Sequence, residues 1–371
     1  MTRIEQITED RWRFRELLLL ADEDEDMIRR YIDRGSMFVL FADREPAAEC
    51  IVTDEGDGIY EIKSLACAKK HQRKGYASKL IRFAEAEFSG RYTRMLLGTT
   101  PANIAFYEGR GFAVCGSIPG FFRDNYKEPV IENGTVIGDM TLLSKPALPV
   151  TVRTCPMENG SVTGYIPEGA PEVALWGHIA PHEACEIALA TGAAVFRVDG
   201  YDWNADLSPW PAKACFRGGE DFAGLADAHL SRIEQIMTVA EEGLQVRKRG
   251  VFGYSLAGLF ALYALVRSDR FDGAATASGS MWYDGFLPYL ETHAEKLRGR
   301  AVYFSLGDRE ALTKNARLAS VLRCTLAARD LAAASGADTV FIENRGTHFD
   351  DGDGRTLAAA VWLAEHLQAM A

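Results

Sequence analysis

The stretch Gly250-Val251-Phe252-Gly253-Tyr254-Ser255-Leu256-Ala257-Gly258 limits what this chain can fold into more than any other. A short apolar run ends at a serine, and an apolar run of helical length, 256–267, follows at once. Only a sharp strand-to-helix turn can join the two. Gly253 and Ala257, two positions before and after the serine, leave room for it, with Gly258 as a further gap. Such a turn lifts the Ser255 hydroxyl above one end of a sheet, at the head of a helix. It also aims the Leu256 N–H to where an oxyanion would form. Ser255 is the candidate nucleophile and Leu256 a candidate oxyanion donor.

Short apolar runs at 195–198, 250–252, 273–277, 302–306 and 339–342 alternate with helical segments at 222–241, 256–267, 310–334 and 355–369. That alternation predicts an α/β architecture with a doubly wound, mostly parallel sheet covered on both faces. In such a sheet the acid and then the base follow the serine along the chain. His348 stands in a loop after the last run and is the candidate base. The acid belongs just past 302–306, where Gly307-Asp308-Arg309-Glu310 offers two carboxylates. Glu310 is preferred for its spacing from Gly307, with Asp308 as its competitor. Asp350 and Asp351 are outside candidates, and a Ser–His dyad without an acid is a further alternative.

Ser144-Lys145-Pro146-Ala147-Leu148-Pro149 interrupts the pattern, because two prolines three apart suit an extended connector. It divides the chain into domains 1–146 and 147–371. In the first, strands are predicted at 37–42, 48–53, 59–68, 95–99, 112–117 and 136–143, with helices at 76–88 and 102–110. Between strand 59–68 and helix 76–88 lies His71-Gln72-Arg73-Lys74-Gly75-Tyr76-Ala77. Gly75 and Ala77 keep side chains clear of the backbone, and N–H groups at a helix head attract anions. Arg73 and Lys74 add full positive charges. These are the features of a pyrophosphate cradle.

Lys plus Arg number 41 and Asp plus Glu 52, a formal charge of −11, so no overall field draws in nucleic acid. The seven cysteines include no C-x-x-C pair, which argues against a disulfide framework and a cysteine zinc site. No H-E-x-x-H occurs, and no metal is expected. The first residues form no apolar signal core, and the run 17–21 is too short to cross a bilayer. A cytoplasmic protein without a membrane segment is the expectation, and its oligomeric state is not legible.

The first half closely resembles the Gcn5-related N-acetyltransferase (GNAT) superfamily. Gln72-Arg73-Lys74-Gly75-Tyr76-Ala77 matches its [Q/R]-x-x-G-x-[G/A] signature, and Asn103 to Phe112 is similar to a shortened form of its N-x-x-A stretch. The resemblance implies an α+β fold, acetyl-CoA as co-substrate and a small-molecule amine as acceptor. It implies that the backbone of Leu65 and Cys67 bonds the thioester arm at a splayed strand. Gln72, Arg73, Lys74, Gly75, Tyr76 and Ala77 would hold the pyrophosphate and Asn103 the pantetheine side. Tyr107 would protonate the leaving thiolate, and Glu61 would take the amine's proton.

The second half resembles the α/β-hydrolase fold and, within it, the esterase family that includes the enterochelin esterases. Ser278-Gly279-Ser280-Met281-Trp282 is similar to its S-x-S-x-W stretch. The segment from Trp203 to Trp210 falls where that family supplies a second oxyanion donor, with Trp203 as the candidate. Together the resemblances imply a bifunctional enzyme, an acetyltransferase and a serine esterase acting on small-molecule amines and esters. The competing expectation is an esterase regulated by a GNAT domain that only senses acetyl-CoA.

Overall fold

Two sheets, one in each half of the chain, organise the computed structural model, which describes residues 2–215 and 218–371. The chain divides into the units Met1–Leu148 and Pro149–Ala371. The first unit has strands β1 (Thr2–Ile7), β2 (Ser36–Ala42), β3 (Glu45–Gly56), β4 (Ile59–Cys67), β5 (Arg94–Thr99), β6 (Ala113–Ile118) and β7 (Met140–Pro146). Their order is β1-β2-β3-β4-β5-β7-β6, and only β4 and β5 run parallel. Helices α1 (Arg15–Ala21), α2 (Glu25–Arg29), α3 (Tyr76–Glu87), α4 (Ile104–Glu108) and α5 (Phe121–Asn125) complete it.

Alternation along the strands sorts their side chains onto two faces. Phe38, Leu40, Cys50, Val52 and Ile62 pack with Leu80, Ile81 and Ala84 of α3. Met37, Val39 and Ile51 pack on the other face with Leu18 of α1 and Ile28 of α2. Two expectations change. Ser144–Pro146 is not connector but the end of β7, paired with Leu96 to Arg94. Val136 is not in that strand; it pairs with Ile131 in a small hairpin, because Asn133 and Gly134 adopt left-handed backbone and close a tight turn.

The second unit has β8 (Val150–Met157), β9 (Gly160–Pro167), β10 (Val173–Gly177), β11 (Ala194–Asp199), β12 (Lys248–Tyr254), β13 (Gly273–Ala277), β14 (Ala301–Gly307) and β15 (Asp338–Asn344). The order is β8-β9-β11-β10-β12-β13-β14-β15, parallel from β11 to β15. Its main helices are α6 (Pro181–Thr191), α7 (Ala226–Ala240), α8 (Leu256–Arg267), α9 (Val321–Ser335) and α10 (Gly352–Met370). Residues Leu256 to Val266 of α8 are all buried, which is why that run is apolar on every side. The helix expected from residue 310 starts later, at Ala316–Ala319 and then α9, with Asn315 accepting from the N–H groups of Arg317 and Leu318 as a cap. Among the described residues no helix is long and apolar enough to cross a membrane.

Candidate active sites

In the second unit, Ser255 follows β12 with φ 58° and ψ −120°, a backbone region that an L residue occupies only when its surroundings enforce it. Packing enforces it here. A Cβ on Gly253 would stand 2.6 Å from the Ala257 Cβ, and one on Gly258 would meet the Gly253 carbonyl at 3.0 Å. The Ser255 N–H donates to the Ala277 carbonyl at 3.0 Å, and the Ser280 N–H donates to the Ser255 carbonyl at 3.0 Å. The end of β13 and the residues just after it therefore clamp the turn from both sides. His348 Nε2 lies 3.0 Å from Ser255 Oγ, and His348 Nδ1 lies 2.7 Å from Glu310 Oε2. The Tyr254 hydroxyl donates to the His348 carbonyl at 2.7 Å and steadies the histidine loop.

Glu310 lies in the turn after β14, not in a helix. Its Oε1 accepts from the Gly307 N–H at 2.6 Å, the Ser278 hydroxyl at 2.7 Å and Arg355 Nη1 at 2.9 Å. Burial pushes this carboxyl up, but His348, the Gly307 N–H and Ser278 together outweigh that and hold it below the ordinary glutamate value. It stays ionised beside the imidazole, as a group that orients a base must. Asp308 does not reach the histidine. In a turn this tight its side chain leaves on the other side, where Oδ1 accepts from the Gly346 N–H at 2.8 Å. Asp350 accepts from the Thr347 N–H at 2.7 Å and so closes the same loop. Both carboxylates hold the histidine loop instead of touching the ring.

Leu256 is the first residue of α8, where N–H groups have no helical acceptor upstream. Trp203 does not take the place expected for it. It opens the turn Trp203–Asp206 after β11, and β11 lies two strands from β12. On that side the strand beside β12 is β10, and the loop leaving it is His178-Ile179-Ala180. The misplacement comes from missing β10 in the sequence, since the earliest strand read there was β11.

His178 anchors that loop. Its Nε2 lies 2.7 Å from His229 Nε2, and both rings are buried against Phe260. Arg232 Nη2 donates to His229 Nδ1 at 3.1 Å, so His229 carries its proton on Nε2 and donates to His178. Burial pushes both imidazoles toward the neutral form, His178 well below the usual value and His229 down to about 4. An unfolded imidazole titrates near about 6.5. Below that pH the unfolded chain binds more protons, so stability falls as pH drops from about 6.5 toward about 4, by up to about 1.4 kcal/mol per pH unit for each imidazole. Calorimetric melting of the second unit should show this loss between about pH 7 and about pH 5, and a flat profile there contradicts it. His178 and His182 have H-x-x-x-H spacing, but His182 Nε2 faces Asp353 Oδ2 at 3.4 Å while His178 faces His229.

In the first unit, β4 and β5 pair only from Ile59–Ile62 with Arg94–Leu97, and beyond Ile62 they part. A cleft of about 1080 Å³ opens where they separate. Leu65 and Cys67, on the freed part of β4, line it. Arg73 at φ 60° and Gly75 at φ 81° turn the chain into α3, and Gln72, Arg73, Gly75, Tyr76 and Ala77 line the cleft as well. Lys74 is exposed and outside the lining. Asn103 lines it, with Nδ2 donating to Thr100 Oγ1 at 3.2 Å. Tyr107 lines it too, and burial raises its phenol above the usual value, so the group stays protonated.

A bulge in the β3–β4 ladder leaves Lys63 as an extra residue, which puts Glu61 and Ser64 on one face. Glu61 lines the cleft with Oε2 held by Lys63 Nζ at 2.6 Å. Ser64 and the buried Glu49 beside it were not read from the sequence. A lone acid inside the apolar run Ala47 to Val52 is the signal that could have found Glu49. Arg355 was missed, and Ser278 was read only as part of the S-x-S-x-W stretch and not as a partner of Glu310; nothing in the local pattern of α10 distinguishes Arg355.

The acetyltransferase (GNAT) domain family matches residues 33–114. The uncharacterised N-acetyltransferase YvbK of Bacillus subtilis (strain 168) is 30% identical over 133 residues, which span 34% of this chain and 85% of YvbK. A crystal structure of a GNAT family acetyltransferase from Elizabethkingia anophelis, with acetyl-CoA bound, is 28% identical, with 39% of this chain and 97% of that one covered and a TM-score of 0.38. An IroE-like serine hydrolase from Shewanella oneidensis is 15% identical, with 60% of this chain and 81% of that one covered and a TM-score of 0.49. The α/β-hydrolase fold of the second unit rests on its own strand order and on the strained serine turn above β12. Through its first unit, this chain belongs to the GNAT acetyltransferase family.

Proposed function

We propose a two-site enzyme. The first unit transfers an acetyl group from acetyl-CoA to a small-molecule amine, and the second cleaves an ester through an acyl-serine on Ser255. The unbroken hydrogen-bonded line Ser255–His348–Glu310 carries the hydrolytic reading. His348 takes the serine proton as the oxygen attacks and later returns it to the leaving group, while Glu310 steadies the charged ring. The Leu256 N–H and an N–H of the loop after β10 receive the oxyanion. Ala180 already donates to Glu183 Oε2 at 2.8 Å, so His178 and Ile179 are the candidates for the second donor.

The parted strands beside the Gln72 to Ala77 turn support the transferase reading. The backbone of Leu65 and Cys67 would hold the thioester arm, Gln72, Arg73, Gly75, Tyr76 and Ala77 the pyrophosphate, and Asn103 the pantetheine side. Tyr107 would supply the proton for the departing sulfur. Arg73→Glu should weaken acetyl-CoA binding by about 10- to 100-fold in isothermal calorimetry, because it replaces a charge-assisted contact with a repulsion. An unchanged Kd would take Arg73 out of the cradle.

A further inference from the structure

Glu49 is fully buried on β3, on the face that also carries Ser64 of β4. The Ser64 hydroxyl donates to Glu49 Oε1 at 2.6 Å, and Glu49 Oε2 has no hydrogen-bond partner among the described residues. Ser64 lines the cleft, and Tyr31 and Glu61 line it too. A hydroxyl thus stands between the cleft and a carboxylate with an unused oxygen. Glu61 is placed less well for proton transfer. Lys63 holds it at 2.6 Å and also reaches Glu55 Oε1 at 3.3 Å, so a proton arriving at Glu61 competes with an ammonium already there.

We propose that Glu49, acting through the Ser64 hydroxyl, accepts the proton that the acceptor's ammonium must lose before acetyl transfer. This rests on the acetyltransferase reading of the first unit. An alkylamine near neutral pH is mostly protonated and has no free electron pair. One N–H proton passes to Ser64 Oγ as the serine's own proton passes to Glu49 Oε1, so the ammonium becomes an amine and the carboxylate an acid. The nitrogen pair then forms a bond to the thioester carbonyl carbon, and the C–S bond breaks with its pair on sulfur. Tyr107 protonates the sulfur and regains a proton from the acylated nitrogen. Glu49 returns its proton to water through Ser64.

The surroundings suit a group that cycles near neutrality. Burial pushes the Glu49 carboxyl up to about 7, against the opposing pull of the Ser64 hydroxyl and the Ala66 N–H. The titratable groups near it are the Tyr31 phenol after α2, the Tyr107 phenol on α4 and, next to it on β3 but on the opposite face, the Cys50 thiol, and burial raises all three. Asp22 lies one step further, its Oδ2 3.4 Å from the Tyr31 hydroxyl, and burial raises its carboxyl also. Strand β2 contributes Val39, and α1 and α2 turn Leu17, Leu18, Met27 and Ile28 inward.

The test is CoA release from acetyl-CoA by the full chain, with a panel of primary amines that includes phenethylamine and putrescine, followed against pH. The wild-type kcat/KM should rise through a limb near about 7. Glu49→Gln should abolish the limb and lower kcat by about 10²- to 10⁴-fold while calorimetric acetyl-CoA affinity is retained. Ser64→Ala should lower kcat at least about tenfold with the same affinity, and it decides the matter alone if Glu49→Gln does not fold. A limb that persists in Glu49→Gln, or vanishes in Glu61→Gln instead, overturns the proposal, as does an unchanged kcat in Ser64→Ala. No release with any amine by the wild type overturns the acetyltransferase reading and the proposal with it.

Discussion

Ser255→Ala is expected to lower hydrolysis of p-nitrophenyl acetate by about 10³-fold or more and to abolish labelling by a fluorophosphonate probe. The effect is large because one oxygen serves three purposes in the geometry. It is the atom 3.0 Å from His348 Nε2, it stands on a backbone strained to φ 58°, and it sits at the first turn of α8, where the Leu256 N–H is available. Alanine keeps the turn and the helix, so the loss would report chemistry and not folding. The circular dichroism and melting of the variant should match the wild type. Hydrolysis at the wild-type rate with the variant would remove the acyl-serine from the proposal, and acetyl-CoA binding by the first unit would be untouched by either result.

Arg355→Met should destabilise the second unit by about 3–5 kcal/mol, the usual consequence of removing one partner from a buried ion pair. Arg355 and Glu310 side chains are each only 2% exposed. Arg355 Nη1 donates to Glu310 Oε1 at 2.9 Å, and Nη2 donates to the Arg345 carbonyl at 2.8 Å. Methionine fills much of the volume but leaves a buried carboxylate with less compensation and a carbonyl without its donor. The calorimetric transition of the second unit should fall by roughly 10 °C, and that of the first unit should stay in place. Ester hydrolysis should fall as well, because Glu310 then shifts toward its protonated form and stops orienting His348. A transition of the second unit lowered by less than about 2 °C contradicts this account.

The strained serine turn and the glycine turn before α3 were legible because their requirements are local. Gly253 is needed by atoms of Ala257 four residues away, Gly258 in part by the Gly253 carbonyl, and Gly75 by the φ of one backbone unit. His348 and the pair of candidate acids were legible because chain order in a parallel sheet brings successive strand ends to one edge. Between Glu310 and Asp308 the spacing from Gly307 gave a preference for Glu310 but no decision. The two stand two residues apart after β14, and only side-chain direction separates the one that meets His348 from the one that ties down Gly346.

Trp203 shows a second kind of limit. Strand β10 lies between β11 and β12 although it precedes both in the chain, and no local pattern states that crossover. Once it is known, the loop after Gly177 replaces the turn at Trp203 as the one beside the Ser255 turn. Ser64 and Arg355 are cases of the same limit, each separated in sequence from the carboxylate it meets.

The sequence alone determined where the backbone turns sharply, which runs are buried, and that a serine and a set of N–H groups stand at the heads of two helices. Those properties follow from sterics and hydrophobicity acting over a few residues. The tertiary structure decided which carboxylate faces the histidine, which loop flanks the serine, and that β4 and β5 part beside a buried glutamate. Those depend on strand order, register and side-chain direction, which are set by packing between segments far apart in the chain.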